Sequence, residues 1–207
     1  MEGGNVAKDA TGFAGGHTSL ELLTTNNQPS QRLFTTFNAT SAASALCARL
    51  AAQIMLAYPK LRPETVRALI VHSAEWTNQM RSMYPSTTKK DYAQLIRHCG
   101  WGVPDRDRAL YSAGNSLTLL VEDQVFPFKK ERGKPVASRD MKLHALPWPK
   151  DALLALGEAQ VQLRVSLSYF IEPNPSARGV SSKFHYPSHR LRFEVQRPLE
   201  PTTDFVA

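Results

Sequence analysis

At 207 residues the chain has room for one large or two small domains and can bury a real hydrophobic core. Hydrophobic residues make up 42% and charged residues 21%, ordinary proportions for a globular protein. The formal charge of +7 and a pI near 9.6 permit acidic partners, but the basic residues are dispersed along the chain, which disfavours a dedicated nucleic-acid module.

The chain opens on Met1-Glu2-Gly3-Gly4-Asn5, which lacks the basic start and apolar centre of a leader peptide. Residues 1–36 are rich in Gly, Thr, Asn and Ser and read as loop, a short strand at 20–25, and loop through Asn26-Asn27-Gln28-Pro29. An opening Gly-Gly-Asn loop with no strand before it is a poor start for an independent domain. Arg32 to Phe37 reads as a strand feeding a turn.

Next comes Thr40-Ser41-Ala42-Ala43-Ser44-Ala45 and a run of small apolar residues in helical register to about Tyr58. Ala favours helix and adds little bulk, so this helix is expected to run buried, with neighbours close on every side. Two roles are open for the hydroxyls at its start. Thr40 or Ser41 can cap the helix. Alternatively, Ser41 is a nucleophile, and the unpaired N–H groups at the positive end of the helix dipole suit an oxyanion developing beside it. Taken by itself, the stretch favours the cap. Arg49 and Gln53 interrupt the apolar run of residues 42–57, which argues against a membrane span. Cys47 and Cys99 are too few for a disulfide scaffold or zinc site, and Cys47 is expected as a buried thiol. Few cysteines and no visible leader together lean towards the cytoplasm.

A second helix is expected from Pro63, a favourable first-turn residue, with Glu64 at the positive end and Val66, Leu69 and Ile70 as its apolar stripe. Residues 75–90 are polar and turn-rich. Asp91 to Cys99 reads as a short helix ended by Gly100, and Asp105 to Ser112 as another with Ala109 and Leu110 facing inward.

Three of these segments resemble one family. Thr40-Ser41-Ala42-Ala43-Ser44-Ala45 is similar to the Gly-Thr-Ser-x-Ala-x-Pro nucleophile motif of the subtilisin-like serine peptidases. The stretch from Tyr58-Pro59 through Val66, Leu69 and Ile70 to Ser73-Ala74 resembles the helix that follows it. Gly100-Trp101-Gly102-Val103-Pro104-Asp105 resembles the Gly-x-Gly turn that closes the catalytic domain. The likeness covers roughly the first half of the chain, with Ala39 in place of the motif's Gly and Ala45 in place of its Pro. It implies an α/β catalytic part at 1–115, helix-rich here, with Ser41 as nucleophile and a peptide or protein as substrate. It also implies a chain order in which Asp and His precede Ser. His17 is the sole histidine before Ser41, yet it and Asp9 lack the family's motif context and read as loop residues. Base, carboxylate and side-chain oxyanion donor are therefore expected from a catalytic portion upstream of this chain, and 207 residues alone should be inactive.

After Gly114-Asn115 the texture changes. Residues 117–121 and 141–146 read as strands. Val161 to Tyr169 alternates strictly, with Val161, Leu163, Val165, Leu167 and Tyr169 on the expected core face, and Leu191 to Val195 alternates likewise. Short strands between Pro- and Gly-bearing loops suggest an antiparallel β-sandwich at 116–197, which several subtilisin-like peptidases carry, and then a flexible tail at 198–207.

Other sites weigh less. His185 and His189 lie in a Pro/Ser-rich loop without nearby Cys or paired carboxylates, so no metal is expected. His72 and His98 fall on predicted helices as structural residues. The basic loop 129–134 has no interleaved aromatics and reads as a solvated hairpin tip. No cofactor is expected. The two rivals to the peptidase are a peptidase relic acting as a protein-binding module and a basic nucleic-acid-binding module.

Overall fold

The computed structural model describes residues 7–8, 11–14, 21–85, 87–114, 118–126, 128–139, 142–146, 149–170, 191, 193–196 and 200–206. It divides into two compact units, Met1–Asn115 and Ser116–Ala207.

The first unit begins with two antiparallel pairs. Strands β1 (Ala7–Lys8) and β2 (Phe13–Ala14) form one, and β3 (Leu22–Thr25) and β4 (Phe34–Phe37) the other. In the second pair Leu22 faces Phe37 and Thr25 faces Phe34. Its connection is drawn tight by Asn26, whose side-chain oxygen accepts the Gln28 N–H at 2.9 Å and whose own N–H donates to the Leu33 carbonyl at 3.0 Å. Such a local Asx turn substitutes for ladder bonds the loop cannot make.

Five helices follow. Helix α1 (Thr40–Ala57) runs 18 residues, α2 (Pro63–Ser73) starts on its proline, and α3 (Asn78–Met83) is one and a half turns in the segment expected to be turn-rich. Helix α4 (Lys89–Cys99) begins two residues earlier than the periodicity suggests, because Thr88 and Asp91 form a reciprocal capping box. Helix α5 (Arg106–Ser112) is capped by Asp105, whose carboxylate accepts the Arg108 N–H at 2.6 Å.

Helices α1, α2 and α5 pack together, with Leu50, Ile54, Val66, Leu69 and Ala109 as their core. Ile54 and Ala109 are fully buried, and burial of one such aliphatic side chain as large as Ile54 is worth about 1.5–3 kcal/mol. The Tyr58 hydroxyl ties the end of α1 to α5 by donating to the Leu110 carbonyl at 2.5 Å. Leu95, also fully buried, anchors α4. Leu110 itself is half-buried.

Helix α1 departs from expectation. Ala42, Leu50 and Ile54 are buried, whereas Ala45, Ala48, Ala52, Met55 and Leu56 are exposed, Leu56 at 85%. Packing on α2 and α5 covers one side of the helix, and the described residues supply no layer for the other. Its mean hydropathy of 1.3 over 18 residues reaches what a membrane-crossing helix needs by length and composition, but its buried face is a packed helix–helix contact. Cys47 is half-buried, not buried, and both cysteines are free thiols.

The second unit corrects the β-sandwich. Among its described residues, ladder pairing is confined to β5 (Phe128–Lys129) and β6 (Ala137–Ser138), with helices α6 (Lys150–Ala155) and α7 (Thr202–Val206). Residues 118–121, 142–146 and 161–170 carry no ladder, and neither do 191 and 193–196. Alternation specifies a strand only when a second layer buries the apolar face. Here Val161, Leu163, Val165 and Leu167 are all exposed, while Arg164, Ser166 and Ser168 between them are half-buried. At these four positions the face expected to be core is turned outward, and Tyr169, the fifth, is half-buried. Where a flexible tail is expected, α7 forms, its first turn closed by Asp204 and Phe205 donating to the Pro201 carbonyl at 3.1 Å.

Candidate active site

Strand β4 delivers the chain through Asn38 and Ala39 into the first turn of α1. Ala39 is the residue before the helix, with φ −161° and ψ 160°. That is ordinary extended backbone, so alanine sits without strain where the resembling motif has glycine. At Ala45, α1 runs on unbroken, because alanine keeps the N–H that proline would remove.

The cap reading for Thr40 and Ser41 does not hold. Both lie inside the helix, at its first two positions, and no side chain caps this end. Its first turn also carries no acidic residue. The Ala42 N–H donates to the Ala39 carbonyl at 2.9 Å. The N–H groups of the positions before it are among those a helix leaves without an intrahelical acceptor. Ser41 is exposed and its hydroxyl forms no hydrogen bond among the described residues. Ser44, one turn on, differs: its hydroxyl donates back to the Thr40 carbonyl at 3.1 Å. Of the two serines on this face, Ser41 is the one with an uncommitted oxygen beside the positive end of the helix dipole.

Among the described residues, no histidine completes the site. His17, His185 and His189, with Asp9 and Asn5, lie outside the described residues. His72 sits in the last turn of α2. His98 pairs its Nδ1 with the Gln94 carbonyl at 2.9 Å and stacks on Tyr84 with ring centroids 4.6 Å apart. His144 lies 4.0 Å from the Asp123 carboxylate in the second unit. No group of three His, Cys, Asp or Glu side chains suited to a metal ion occurs among the described residues.

The Gly-x-Gly turn is built with little tolerance. Glu75, just past α2, pairs with Val103: the Glu75 N–H donates to the Val103 carbonyl at 3.0 Å and the Val103 N–H returns to the Glu75 carbonyl at 2.9 Å. Gly102 has φ +95°, and a Cβ there would collide with the Glu75 carbonyl and the Trp76 amide. Glycine is required on both counts. Next to this turn is a cavity of about 260 Å³ walled by Trp76, Val103 and Pro104 and by the charged groups of Glu75, Asp105 and Arg108. The Arg108 guanidinium pairs with the Glu75 carboxylate and donates to the Ser73 carbonyl at 3.4 Å. Ser41 is not among its lining residues.

Two carboxyls are held below the ordinary aspartate value of 3.8. At Asp91 the hydroxyl of Thr88 is the main cause, then the Thr88 N–H and the Thr87 hydroxyl. At Asp123 the main cause is the Lys142 ammonium bonded at 2.6 Å, then the Gln124 N–H. Both carboxyls serve structural contacts, at half-buried Asp91 and exposed Asp123, rather than acid–base chemistry.

Residues 1–102 match the model of the subtilase family, peptidase S8. That match covers just under half of the chain. It takes in the strand–turn–helix around Ser41, helix α2 and the Gly-x-Gly turn, so the part that is similar to subtilases is a helix-rich α/β segment with small antiparallel sheets. An uncharacterised protein of Sinorhizobium fredii, y4bN, is 26% identical over 187 residues, covering 90% of this chain and 38% of its own length. The chain thus spans well under half of that relative. No solved structure matches it.

Proposed function

We propose that this subtilase-like segment carries the nucleophile of a serine endopeptidase, with Ser41 as the attacking residue. The supporting observation is the first turn of α1: an exposed, uncommitted hydroxyl at the second helical position, with Ser44 committed elsewhere. In this reading a histidine takes the Ser41 proton as its Oγ attacks the scissile carbonyl of a peptide. The tetrahedral oxyanion accepts the Ser41 backbone N–H and gains from the helix dipole. Collapse expels the amine, which takes the proton back from the histidine, and leaves an acyl-enzyme on Ser41. Water, deprotonated by the same histidine, then hydrolyses it, and the proton returns to Ser41.

The histidine and its carboxylate come from sequence outside these 207 residues, in a longer protein of the kind y4bN represents. The bare outer face of α1, from Ala45 to Leu56, supports this, since it offers apolar surface for further catalytic-domain structure to cover. The substrate is a peptide or protein, and the 207-residue chain by itself is inactive. A fluorophosphonate probe applied to the full-length protein tests the assignment. The adduct is expected on the tryptic peptide bearing Ser41 and absent from Ser41→Ala. Labelling that survives this change refutes the assignment, and a full-length protein that never labels favours the relic that serves as a binding module.

A further inference from the structure

Trp76, Tyr92 and Trp101 come from the segment between α2 and α3, from α4 and from the Gly-x-Gly turn, and the fold brings them together. Trp76 is fixed by its indole N–H, which donates to the Gly100 carbonyl at 3.0 Å. Trp101 stacks on it with centroids 6.4 Å apart and planes at 28°, and Tyr92 leans against it at the same separation. Trp101 is 55% exposed and Tyr92 43% exposed, so both leave aromatic surface in contact with solvent. Such area is costly to leave bare and is held open here by a hydrogen-bonded partner rather than by chance side-chain placement.

Cations line its edge. On α4, Lys89, Ala93 and Arg97 follow one another at i, i+4 and i+8, a stripe lying beside the Tyr92–Ile96 row. Lys89 and Arg97 are exposed and make no ion pair among the described residues. Arg81 holds its guanidinium 5.5 Å from the Trp76 ring centroid, a cation already placed against the aromatic group. The nearby acids are engaged in local contacts: Asp91 caps α4 from its other side, Asp105 caps α5, and Glu75 pairs with Arg108.

We propose that this surface binds single-stranded nucleic acid, with unpaired bases stacking on Trp101 and Tyr92 and phosphates meeting Arg81, Lys89 and Arg97. Flat aromatic faces reward a ligand with its own π-face, and the cationic stripe rewards a polyanion; an unpaired strand supplies both. An acidic peptide would use the charges and leave the rings unused, and a duplex would keep its bases stacked inside. The site is independent of the catalytic reading, because none of its residues is Ser41 or a group assigned to the chemistry. The sequence hides it: the basic loop 129–134 has no interleaved aromatics, whereas here three distant segments supply them in space.

Anisotropy of a fluorescent short oligothymidylate titrated with the 207-residue chain tests the proposal. Binding is expected at about 50 mM salt and should weaken steeply towards about 200 mM. Trp101→Ala should cost about tenfold in Kd through lost base stacking, while Trp101→Phe largely restores it. Replacing Lys89 and Arg97 together by Gln should lower the log–log salt slope by about 1.4, at about 0.7 per phosphate contact on a single strand. The proposal is overturned by absence of binding at the lower salt, by Trp101→Ala binding as the wild type does, or by polyglutamate of equal charge competing as well as the unlabelled oligonucleotide.

Discussion

Replacing Gly102 by alanine should damage the first unit more than the same change at Gly100, two residues away, and the structure says by how much. Both glycines have positive φ, +56° at Gly100 and +95° at Gly102, so both alanines pay backbone strain of about 1–3 kcal/mol. At Gly100 the new methyl group meets no atom within 4 Å. At Gly102 it runs into the Glu75 carbonyl and the Trp76 amide, which are backbone and cannot swing aside. Relief requires opening the Glu75–Val103 bridge, whose two hydrogen bonds are worth about 0.5–1.5 kcal/mol each. Gly102→Ala should therefore lose about 1–3 kcal/mol more than Gly100→Ala. Urea unfolding followed by tryptophan fluorescence is the assay, since Trp76 and Trp101 flank the turn and report its integrity. Equal losses in the two variants would refute the close-approach argument and leave conformational strain as the whole effect.

Other consequences follow from the same packing. Leu95→Ala, at a fully buried position, should destabilise by about 2–5 kcal/mol, read as a lower urea midpoint with an unchanged slope. Thr88→Ala removes the capping box of α4 and should cost about 1 kcal/mol, visible as reduced helical circular dichroism. The depressed Asp91 carboxyl makes that cap pH-sensitive. Its contribution is complete above the unfolded value near 3.8 and is lost as pH falls through the lower folded value, because the unfolded chain takes up the proton first. Acid titration of Asp91→Asn should accordingly lose part of the wild-type transition below pH 4; an unchanged transition would assign it elsewhere, with Asp123 the next group to test.

Much of the first unit is legible in the sequence, for local reasons. The unbroken small-residue run gives α1, Pro63 starts α2, Gly100 ends α4 and Asp105 caps α5, each signal being carried by a few adjacent residues. What could not be read was which face of α1 is covered. Periodicity shows that a face is apolar and does not show whether a partner lies over it, so Met55 and Leu56 were expected inside and are outside. The same limit explains residues 161–169, whose alternation is real but whose apolar side has no second layer among the described residues. Helix α3 was missed because Asn78-Gln79-Met80-Arg81-Ser82-Met83 has no clear apolar stripe; Thr77, whose hydroxyl accepts the Met80 N–H at 3.3 Å, was the available signal. At the candidate site, the nucleophile motif drew attention to Ser41, but the choice between cap and free hydroxyl depended on Ala39 being the residue outside the helix, a matter of one position in where the helix begins.

The central claim is that the Ser41 hydroxyl does chemistry, and the most direct measurement is peptide hydrolysis by the full-length protein in three forms: wild type, Ser41→Ala and Ser44→Ala. If Ser41 is the nucleophile, its alanine variant loses kcat by about a thousandfold or more while KM changes little. Ser44→Ala, removing a hydroxyl that bonds only to the Thr40 carbonyl among the described residues, should keep turnover near the wild-type rate. Wild-type hydrolysis by Ser41→Ala would contradict the account.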